Sequence, residues 1–198
     1  MTKKVLITGI TGMVGSHLVD YLLKKTNWKI FGMCRWRSPL DNVSHLLNIA
    51  NKEKKLRFLY GDLNDIFSLE EVIKISKPNY VFHLAAQSYP QTSLTEPIQT
   101  LNTNIIGTYN LLNVIKKSNN NPIIHICSSS EVFGKVDKKN VPIHEECSYH
   151  PASPYAISKV GTDLIGKYFY EAYGMKVVTT RMFTHTGPRR GDVFAESS

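Results

Sequence analysis

The segment Lys4-Val5-Leu6-Ile7-Thr8-Gly9-Ile10-Thr11-Gly12-Met13-Val14-Gly15-Ser16-His17-Leu18 decides how this chain reads. Lys4–Thr8 is a short apolar, β-branched run, the pattern of a buried strand. A helix is predicted to follow over Val14–Lys25, with Val14, Leu18, Tyr21 and Leu22 at helical spacing. Between them lies a glycine turn spaced GxxGxxG. Gly9 permits the tight turn, and Gly12 lets backbone approach a pyrophosphate with no Cβ in the way. Gly15 lets the helix pack close to the sheet, so that the helix N-terminus faces the anion. A lone glycine pattern says little. Its position at the first strand–helix junction is what points to a dinucleotide.

The same alternation continues outward from this segment. Further strands are predicted at Lys29–Cys34, Leu56–Tyr60, Tyr80–Ala85, Ile123–Cys127 and Lys176–Phe183. Helices are predicted at Ser68–Ile75, Ile98–Lys117 and from Pro154 to about Tyr173. Ser153 is placed to cap the last of these, with Pro154 at its first position. Strand alternating with helix predicts an α/β fold: a Rossmann-type, doubly wound parallel sheet with helices on both faces. Ligands on such a sheet sit at the carboxyl ends of the strands.

Cofactor choice is read at the end of the second strand, where an acidic residue would bind the ribose 2′-hydroxyl of NAD. This chain has Arg35-Trp36-Arg37-Ser38 there. Two guanidinium groups and a hydroxyl suit a 2′-phosphate, because arginine offers paired donors to phosphate. NADP is therefore the expected cofactor. Asp41 lies within reach of a ribose, which leaves NAD open. Asp62, at the end of the third strand, is either an acceptor for the adenine amino group or a cap for the turn that follows.

Composition bounds the remaining classes. A chain of 198 residues is long enough for one domain with a real core. Hydrophobic residues at 42% and charged residues at 20% exclude a disordered chain. No apolar stretch approaches the ~20 residues of a membrane helix. The run from Val5 ends at Gly9, too short for a signal-peptide core, so export is not expected. The net charge of +8 suits a phosphorylated ligand. Nucleic acid is not an expected partner, because the basic clusters (Lys52, Lys54, Lys55; Lys116, Lys117; Lys135, Lys138, Lys139) are short and scattered. Cys34, Cys127 and Cys147 form no CxxC and cannot all pair, which suggests a reduced cytoplasmic setting. His144, Cys147 and His150 lie in a loop with Pro142 and Pro151 and have no evident fourth ligand, so no metal site is expected.

A second constellation lies further along. Tyr155 and Lys159 are four apart on a predicted helix, hence on one face. An ammonium beside a phenol lowers the phenol's pKa. Such a tyrosine can take a proton from a sugar hydroxyl as hydride leaves the same carbon. Tyr21 and Lys25 show the same spacing, but away from the strand ends, where a surface pair is expected. Tyr155 and Lys159 have company: Ser128-Ser129-Ser130-Glu131 directly follows the fifth predicted strand. A hydroxyl there can donate to a reacting oxygen and Glu131 can serve as acid or base. The plainer reading of the serines is turn chemistry.

With these residues the chain resembles the extended short-chain dehydrogenase/reductase family, in its nucleotide-sugar-modifying branch. The likeness runs almost continuously from residue 4 to 198. It rests on TGxxGxxGS at Thr8–Ser16, His83-Leu84-Ala85-Ala86-Gln87-Ser88, Ser128-Ser129-Ser130-Glu131-Val132-Phe133-Gly134, Ser153-Pro154-Tyr155-Ala156-Ile157-Ser158-Lys159 and Thr186-Gly187-Pro188-Arg189-Arg190-Gly191. Within the branch the chain is most similar to the GDP-mannose 4,6-dehydratases. That rests on Ser-Glu at 130–131, Gly134-Lys135-Val136, Pro188-Arg189-Arg190-Gly191 and the arginine pair after the second strand.

The resemblance implies roles. Ser129, where these dehydratases usually have threonine, is the hydroxyl residue. Glu131 is the base, Tyr155 the acid/base of the hydride step and Lys159 its helper. Cofactor contacts are implied for Gly9, Thr11, Gly12, Met13, Val14, Gly15, Arg35, Asp62, Leu63, Leu84, Ala85, Ala86, Tyr155, Lys159 and His185. Substrate contacts are implied for Ser88, Ser129, Ser130, Glu131 and Arg190. The implied reaction oxidises C4 of a nucleotide sugar by hydride transfer to NADP, removes the C5 proton, expels water from C6 and returns hydride to C6. The product is a 4-keto-6-deoxy sugar nucleotide with no net use of cofactor. A homodimer or homotetramer is implied too. Its contacts would use the Tyr155 helix and part of the stripe Ile98, Leu101, Ile105, Tyr109, Leu112 and Ile115, the rest of which is core.

Three departures from the family pattern stand out. Phe183-Thr184-His185 replaces Phe-Asn-His, altering a substrate-phosphate contact. Trp36 separates arginines that are adjacent in the family. His185-Thr186-Gly187-Pro188 is equally at home in 4-keto-6-deoxymannose reductases, which share Ser-Ser-Glu and YxxxK. A reductase is thus an alternative reading, and a 4-epimerase another. A non-catalytic dinucleotide-sensing protein on the same fold is a third, against which the four residues Ser129, Glu131, Tyr155 and Lys159 count. Family members run well beyond this length into a small domain that holds the base of the sugar nucleotide. Residues 1–198 are therefore expected to be an NAD(P)-binding Rossmann domain that a substrate domain would follow, inactive or very weak alone.

Overall fold

A computed structural model describes residues 2–52 and 55–191. Lys54 of the first basic cluster and the terminal Ala195-Glu196-Ser197-Ser198 lie outside these residues. The strands are β1 (Lys4–Thr8), β2 (Lys29–Cys34), β3 (Leu56–Tyr60), β4 (Tyr80–His83), β5 (Ile123–Ser129) and β6 (Lys176–Met182). They form one parallel sheet in the order β3-β2-β1-β4-β5-β6. This is the doubly wound order expected from the alternation of strand and helix. Strand order reverses between β1 and β4, so a crevice opens above their carboxyl ends.

Both faces of the sheet are covered, which is why the central strands read as continuous apolar runs. Val5 and Ile7 of β1 turn to one side and join Val19 and Leu22 of α1 (Met13–Lys25) and Leu46 of α2 (Ser44–Lys52). Leu6 turns to the other side. It meets Leu69 and Val72 of α3 (Ile66–Ser76), Leu111 and Leu112 of α6 (Gly107–Lys117) and Phe169 of α7 (Pro154–Tyr173). The α7 start follows its sequence signal: the Ser153 hydroxyl accepts the Ala156 N–H at 3.0 Å, with Pro154 first in the helix. Asp65 caps α3 by accepting from Phe67 and Ser68, which starts the helix two residues before the expected Ser68.

Several boundaries differ from expectation, each for a local reason. In α1 the buried face is Gly15, Ser16, Val19 and Leu22, whereas Tyr21 is 60% exposed. Tyr21 and Lys25 are thus a surface pair, as anticipated. Helix α2 was not expected. It grows from a 3₁₀ turn at Asp41–Val43 and is seated by the buried Val43 and Leu46. The long helix expected at Ile98–Lys117 is α5 (Pro97–Leu101), a π-helical turn (Asn102–Ile106) and α6 in succession, preceded by a short α4 (Pro90–Thr95). Its Leu112 and Ile115 are core, while Ile98 and Tyr109 face outward. Strand β4 ends at His83, before Leu84 and Ala85. Strand β5 continues to Ser129, so Ser128 and Ser129 close the strand instead of following it. β6 stops at Met182, one residue short of Phe183.

Candidate active site

The glycine turn joins β1 to α1 with the geometry an anion needs. Gly9 has φ +73°, and a Cβ there would lie 2.8 Å from the Ala85 backbone at the end of β4. A Cβ on Gly15 would run into the Gly9 carbonyl oxygen and lie 2.9 Å from Ile10 Cα. The carbonyl of Gly12 accepts from Ser16, and no side chain caps the helix. The amides of Met13, Val14 and Gly15 therefore have no acceptor within the helix. Free amides at a helix start, with glycine where a side chain would intrude, fit a dinucleotide pyrophosphate. Gly15→Ala is expected to cost about 1–3 kcal/mol of stability and to abolish dinucleotide binding. Denaturant melts and fluorescence titrations of NADH and NADPH check both.

Beside the turn, the carboxyl end of β4 is fixed by a buried chain of hydrogen bonds. The amides of Leu84 and Ala85 both donate to the Thr8 hydroxyl at 3.2 Å. That hydroxyl must then give its own proton to His83 Nδ1, 2.8 Å away. His83 carries its proton on Nε2 and donates to Thr108 at 3.0 Å, and Thr108 donates to the Asn104 carbonyl at 2.6 Å. The donors determine the tautomer at every link. Burial, with help from the charges of Lys159 and His125, holds the His83 imidazole down at about 3. The unfolded chain takes up this proton near pH 6.5, whereas the folded chain refuses it until about pH 3. His83 therefore drains stability as pH falls below 6.5, at a slope approaching about 1.4 kcal/mol per pH unit. The difference in unfolding free energy between the protein and His83→Gln, followed from pH 7 downward, should show this slope.

The chain of bonds continues toward the second constellation. Asn104, in the π-helical turn, accepts the Gln87 N–H at 2.8 Å through its side-chain oxygen. Its amide donates to the Gln87 carbonyl at 2.9 Å and to the Ser158 hydroxyl at 2.8 Å. The Thr162 hydroxyl donates to the Asn104 carbonyl at 3.0 Å. The widened turn lets one residue hold the loop after β4 against α7, a frequent use of π-helical turns near functional sites. Neither Asn104 nor His83 was singled out as a site residue from sequence. The signal was present only as His83 within the quoted run at 83–88.

Ser129, Glu131, Tyr155 and Lys159 come together where β5 ends and α7 begins. Ser129 is buried, accepts the Glu131 amide at 3.2 Å and neighbours the Tyr155 hydroxyl. Glu131 lies in the 3₁₀ turn Ser130–Phe133, where partial burial raises its carboxyl above the usual range. The Ser128 hydroxyl reaches the Lys159 carbonyl at 3.4 Å and pins α7 to the strand. Burial pushes the Tyr155 phenol up to about 12; the Ser129 hydroxyl opposes this and the Glu131 charge adds to it. The expected lowering by Lys159 is not seen here. Its ammonium donates to the Cys127 carbonyl at 2.9 Å and lies 5.7 Å from the Tyr155 ring centre. Burial in turn lowers the Lys159 pKa. A hydroxyl, a phenol, an ammonium and a carboxyl at one strand end can jointly move protons to and from an alcohol and an adjacent carbon.

The other expected residues distribute around this centre. His83, Ala85, Ala86, Asn104, Cys127 and Lys159 lie together between the two constellations, around a gap too small to admit water. Arg35 and Arg37 are exposed in a turn closed by Ser38 N–H to the Arg35 carbonyl at 3.1 Å, and the Trp36 ring packs edge-on against Tyr60. Asp62 accepts the Asn64 N–H at 2.9 Å, so it does cap the following turn. Leu63 is buried and Ser88 is exposed. His185 hydrogen-bonds the Phe183 carbonyl at 3.0 Å. The segment after β6 docks back on the glycine turn: His17 meets the Pro188 carbonyl at 3.1 Å, and Asn42 donates to the carbonyls of Thr11 and Arg189 at 3.0 Å each. Arg189 pairs with Asp20 at 2.7 Å, while the Arg190 N–H donates to Gly187. Among the described residues, no cluster of His, Cys, Asp or Glu could hold a metal, and no helix is long and apolar enough to cross a membrane.

Known proteins resemble this chain in sequence and in fold. "GDP-mannose 4,6 dehydratase" of Drosophila melanogaster is 35% identical over 198 residues, which cover 97% of this chain and 49% of that protein. The chain thus spans about half the length of the curated relatives it matches. The crystal structure of Thermotoga maritima UDP-glucose 4-epimerase with UDP-glucose superposes with a TM-score of 0.83 at 30% identity, covering 94% of this chain and 57% of that one. RMD from Pseudomonas aeruginosa, complexed with NADPH, gives 0.77 at 30% identity, covering 97% and 57%. The sequence profile of one family, described as GDP-mannose 4,6 dehydratase, matches residues 6–198. With its glycine turn and its Ser129, Glu131, Tyr155 and Lys159 in one strand-end cluster, the chain belongs to the GDP-mannose 4,6 dehydratase family.

Proposed function

We propose that this chain is the dinucleotide-binding domain, over residues 1–198, of a nucleotide-sugar 4,6-dehydratase that converts GDP-mannose to its 4-keto-6-deoxy product. The observation that carries the reading is the meeting of Ser129, Glu131 and Tyr155 at the end of β5, with Lys159 one helical turn behind. When bound, the nicotinamide supplies the hydride acceptor and donor and a positive charge beside the phenol. NADP is favoured over NAD because Arg35, Arg37 and Ser38 stand where an acidic residue would hold a ribose. Met13, Val14 and Gly15 would hold the pyrophosphate with their free amides.

The chain's own groups divide the work. Ser129 orients the C4 oxygen and Tyr155 accepts the C4 hydroxyl proton, while Lys159, bonded to the Cys127 carbonyl, anchors α7 to the end of β5 behind them. Glu131 removes the C5 proton, made acidic by the neighbouring ketone, and water leaves from C6. The partner is a nucleotide sugar. A second copy of the chain would cover the exposed Ile98, Tyr109, Ile157, Leu164 and Tyr168 of α5, α6 and α7, giving a homodimer that can pair further.

The test is to express the protein with any sequence its gene encodes beyond Ser198. It is then supplied with NADP and, in turn, GDP-mannose, dTDP-glucose and UDP-glucose. Loss of one water from GDP-mannose, with the other sugars spared and no lasting NADPH, is the expected result. A C4 epimer of unchanged mass, or steady NADPH oxidation with a 4-keto-6-deoxy sugar, would replace the dehydratase with an epimerase or a reductase. Titrating NADPH against NADH decides the cofactor.

A further inference from the structure

Arg181 lies on β6 directly opposite Ser128 of β5. Nearly every donor on its guanidinium is used. Nε donates to Asp163 Oδ2 at 2.7 Å. One terminal nitrogen donates to the Glu145 carbonyl at 2.6 Å. The other donates to the Tyr149 hydroxyl at 2.7 Å and to Asp163 Oδ1 at 3.4 Å. The guanidinium also lies against two rings, 5.3 Å from the Phe133 centre and 5.1 Å from the Tyr149 centre. The Asp163 side chain is 8% exposed and that of Arg181 19%, so this pair is largely withdrawn from solvent.

The four things that Arg181 holds are the parts that frame the candidate site. Asp163 is on α7, one turn beyond Lys159. Phe133 closes the 3₁₀ turn that carries Glu131. Glu145 and Tyr149 belong to the loop leading to the Ser153 cap, and that loop is also tied to the turn by His150 N–H to the Val132 carbonyl at 2.9 Å. Helix α7 has anchors of its own in Asn104, Ser128 and its cap. The Glu131 turn has the buried side chains of Val132 and Phe133 but few hydrogen bonds: its internal ones to Ser129 and Gly134 and the His150 amide, with the Phe133 ring resting on Arg181. Loosening Arg181 should therefore release the turn and spare the helix.

We propose that Arg181, braced by Asp163, is a positioning residue that fixes Glu131 against Tyr155 and so governs removal of the C5 proton but not transfer of the C4 proton. This rests on the dehydratase reading above. Arg181→Lys keeps the charge and loses both the planar fork and the ring contacts. Tyr149→Phe removes a single hydrogen bond and serves as the milder variant.

Two measurements test the clamp. In hydrogen exchange, Arg181→Lys should speed exchange at the Gly134 and His150 amides and leave α1 and the interior of α7 unchanged. Tyr149→Phe should act at the same amides to a smaller degree. In turnover by the protein with any sequence encoded beyond Ser198, kcat should fall about tenfold or more, with KM and NADPH affinity held. The kinetic isotope effect from deuterium at C5 should grow while that from deuterium at C4 does not. Unaltered isotope effects with a smaller active fraction would reduce Arg181 to a purely structural role and overturn the proposal. So would unchanged protection at Gly134 and His150. If the parent protein turned over no nucleotide sugar, the dehydratase reading would fall, and the exchange pattern would still decide whether Arg181 holds the turn.

Discussion

Tyr155→Phe lowers kcat about 10²–10⁴-fold and leaves NADPH binding intact. The phenol is buried beside Ser129, and burial pushes its pKa to about 12. Phenylalanine fills the same space and removes only the hydroxyl that the proposed function makes the acceptor of the C4 proton. The fold and the glycine turn, more than a helix length away in sequence, have no reason to change. Steady-state turnover and an NADPH fluorescence titration on the same preparation measure the two halves. Loss of NADPH binding together with turnover would mean that Tyr155 supports the cleft instead of the chemistry. Retained turnover would remove Tyr155 from the proton path and favour a sensing role for the dinucleotide.

Glu131→Gln has a comparable effect on turnover by a different step, again about 10²–10⁴-fold. The amide keeps the size of the side chain and the Glu131 backbone bond to Ser129, but cannot take a proton from carbon. In deuterated water the parent enzyme should place solvent deuterium at C5 of the product, and the variant should not. A pH dependence follows as well. Glu131 is raised above the ordinary carboxylate value by desolvation, and a base must be ionised to act. Activity of the parent enzyme should therefore be lost as pH falls through an apparent pKa above the usual value of 4.5. The acid limb of kcat/KM measures it, and the limb should be absent in the residual activity of the glutamine variant.

Much of the fold was legible because its signals are local. A β-branched run marked β1, and Ser153-Pro154 marked the start of α7 to the residue. The glycine turn was legible in part for the same reason: Gly15 answers to Gly9 and Ile10 within the turn itself, although Gly9 also makes room for the distant Ala85 backbone. α2 escaped because its apolar residues, Val43, Leu46 and Ile49, are diluted by Asn, Ser and His, and its seat is made by distant strands. The π-helical turn escaped because it depends on Asn104 finding Gln87 and Ser158, contacts with no trace in the spacing. In the site, Tyr155, Lys159, Ser129 and Glu131 were named from short motifs at strand and helix ends. Arg181 and Asp163 were not, since a charge on an edge strand and another in mid-helix look like solvated surface until 2.7 Å separates them. The predicted lowering of Tyr155 by Lys159 failed because spacing places two residues on one face without saying which carbonyl the ammonium will choose.

The central claim is that one site oxidises C4 and reduces C6 of the same sugar. GDP-mannose bearing deuterium at C4 tests it most directly, with NADP and the protein including any sequence encoded beyond Ser198. The expected product has lost one water and carries the deuterium in its C6 methyl group. Deuterium retained at C4, or found on free cofactor in proportion to sugar consumed, would contradict it.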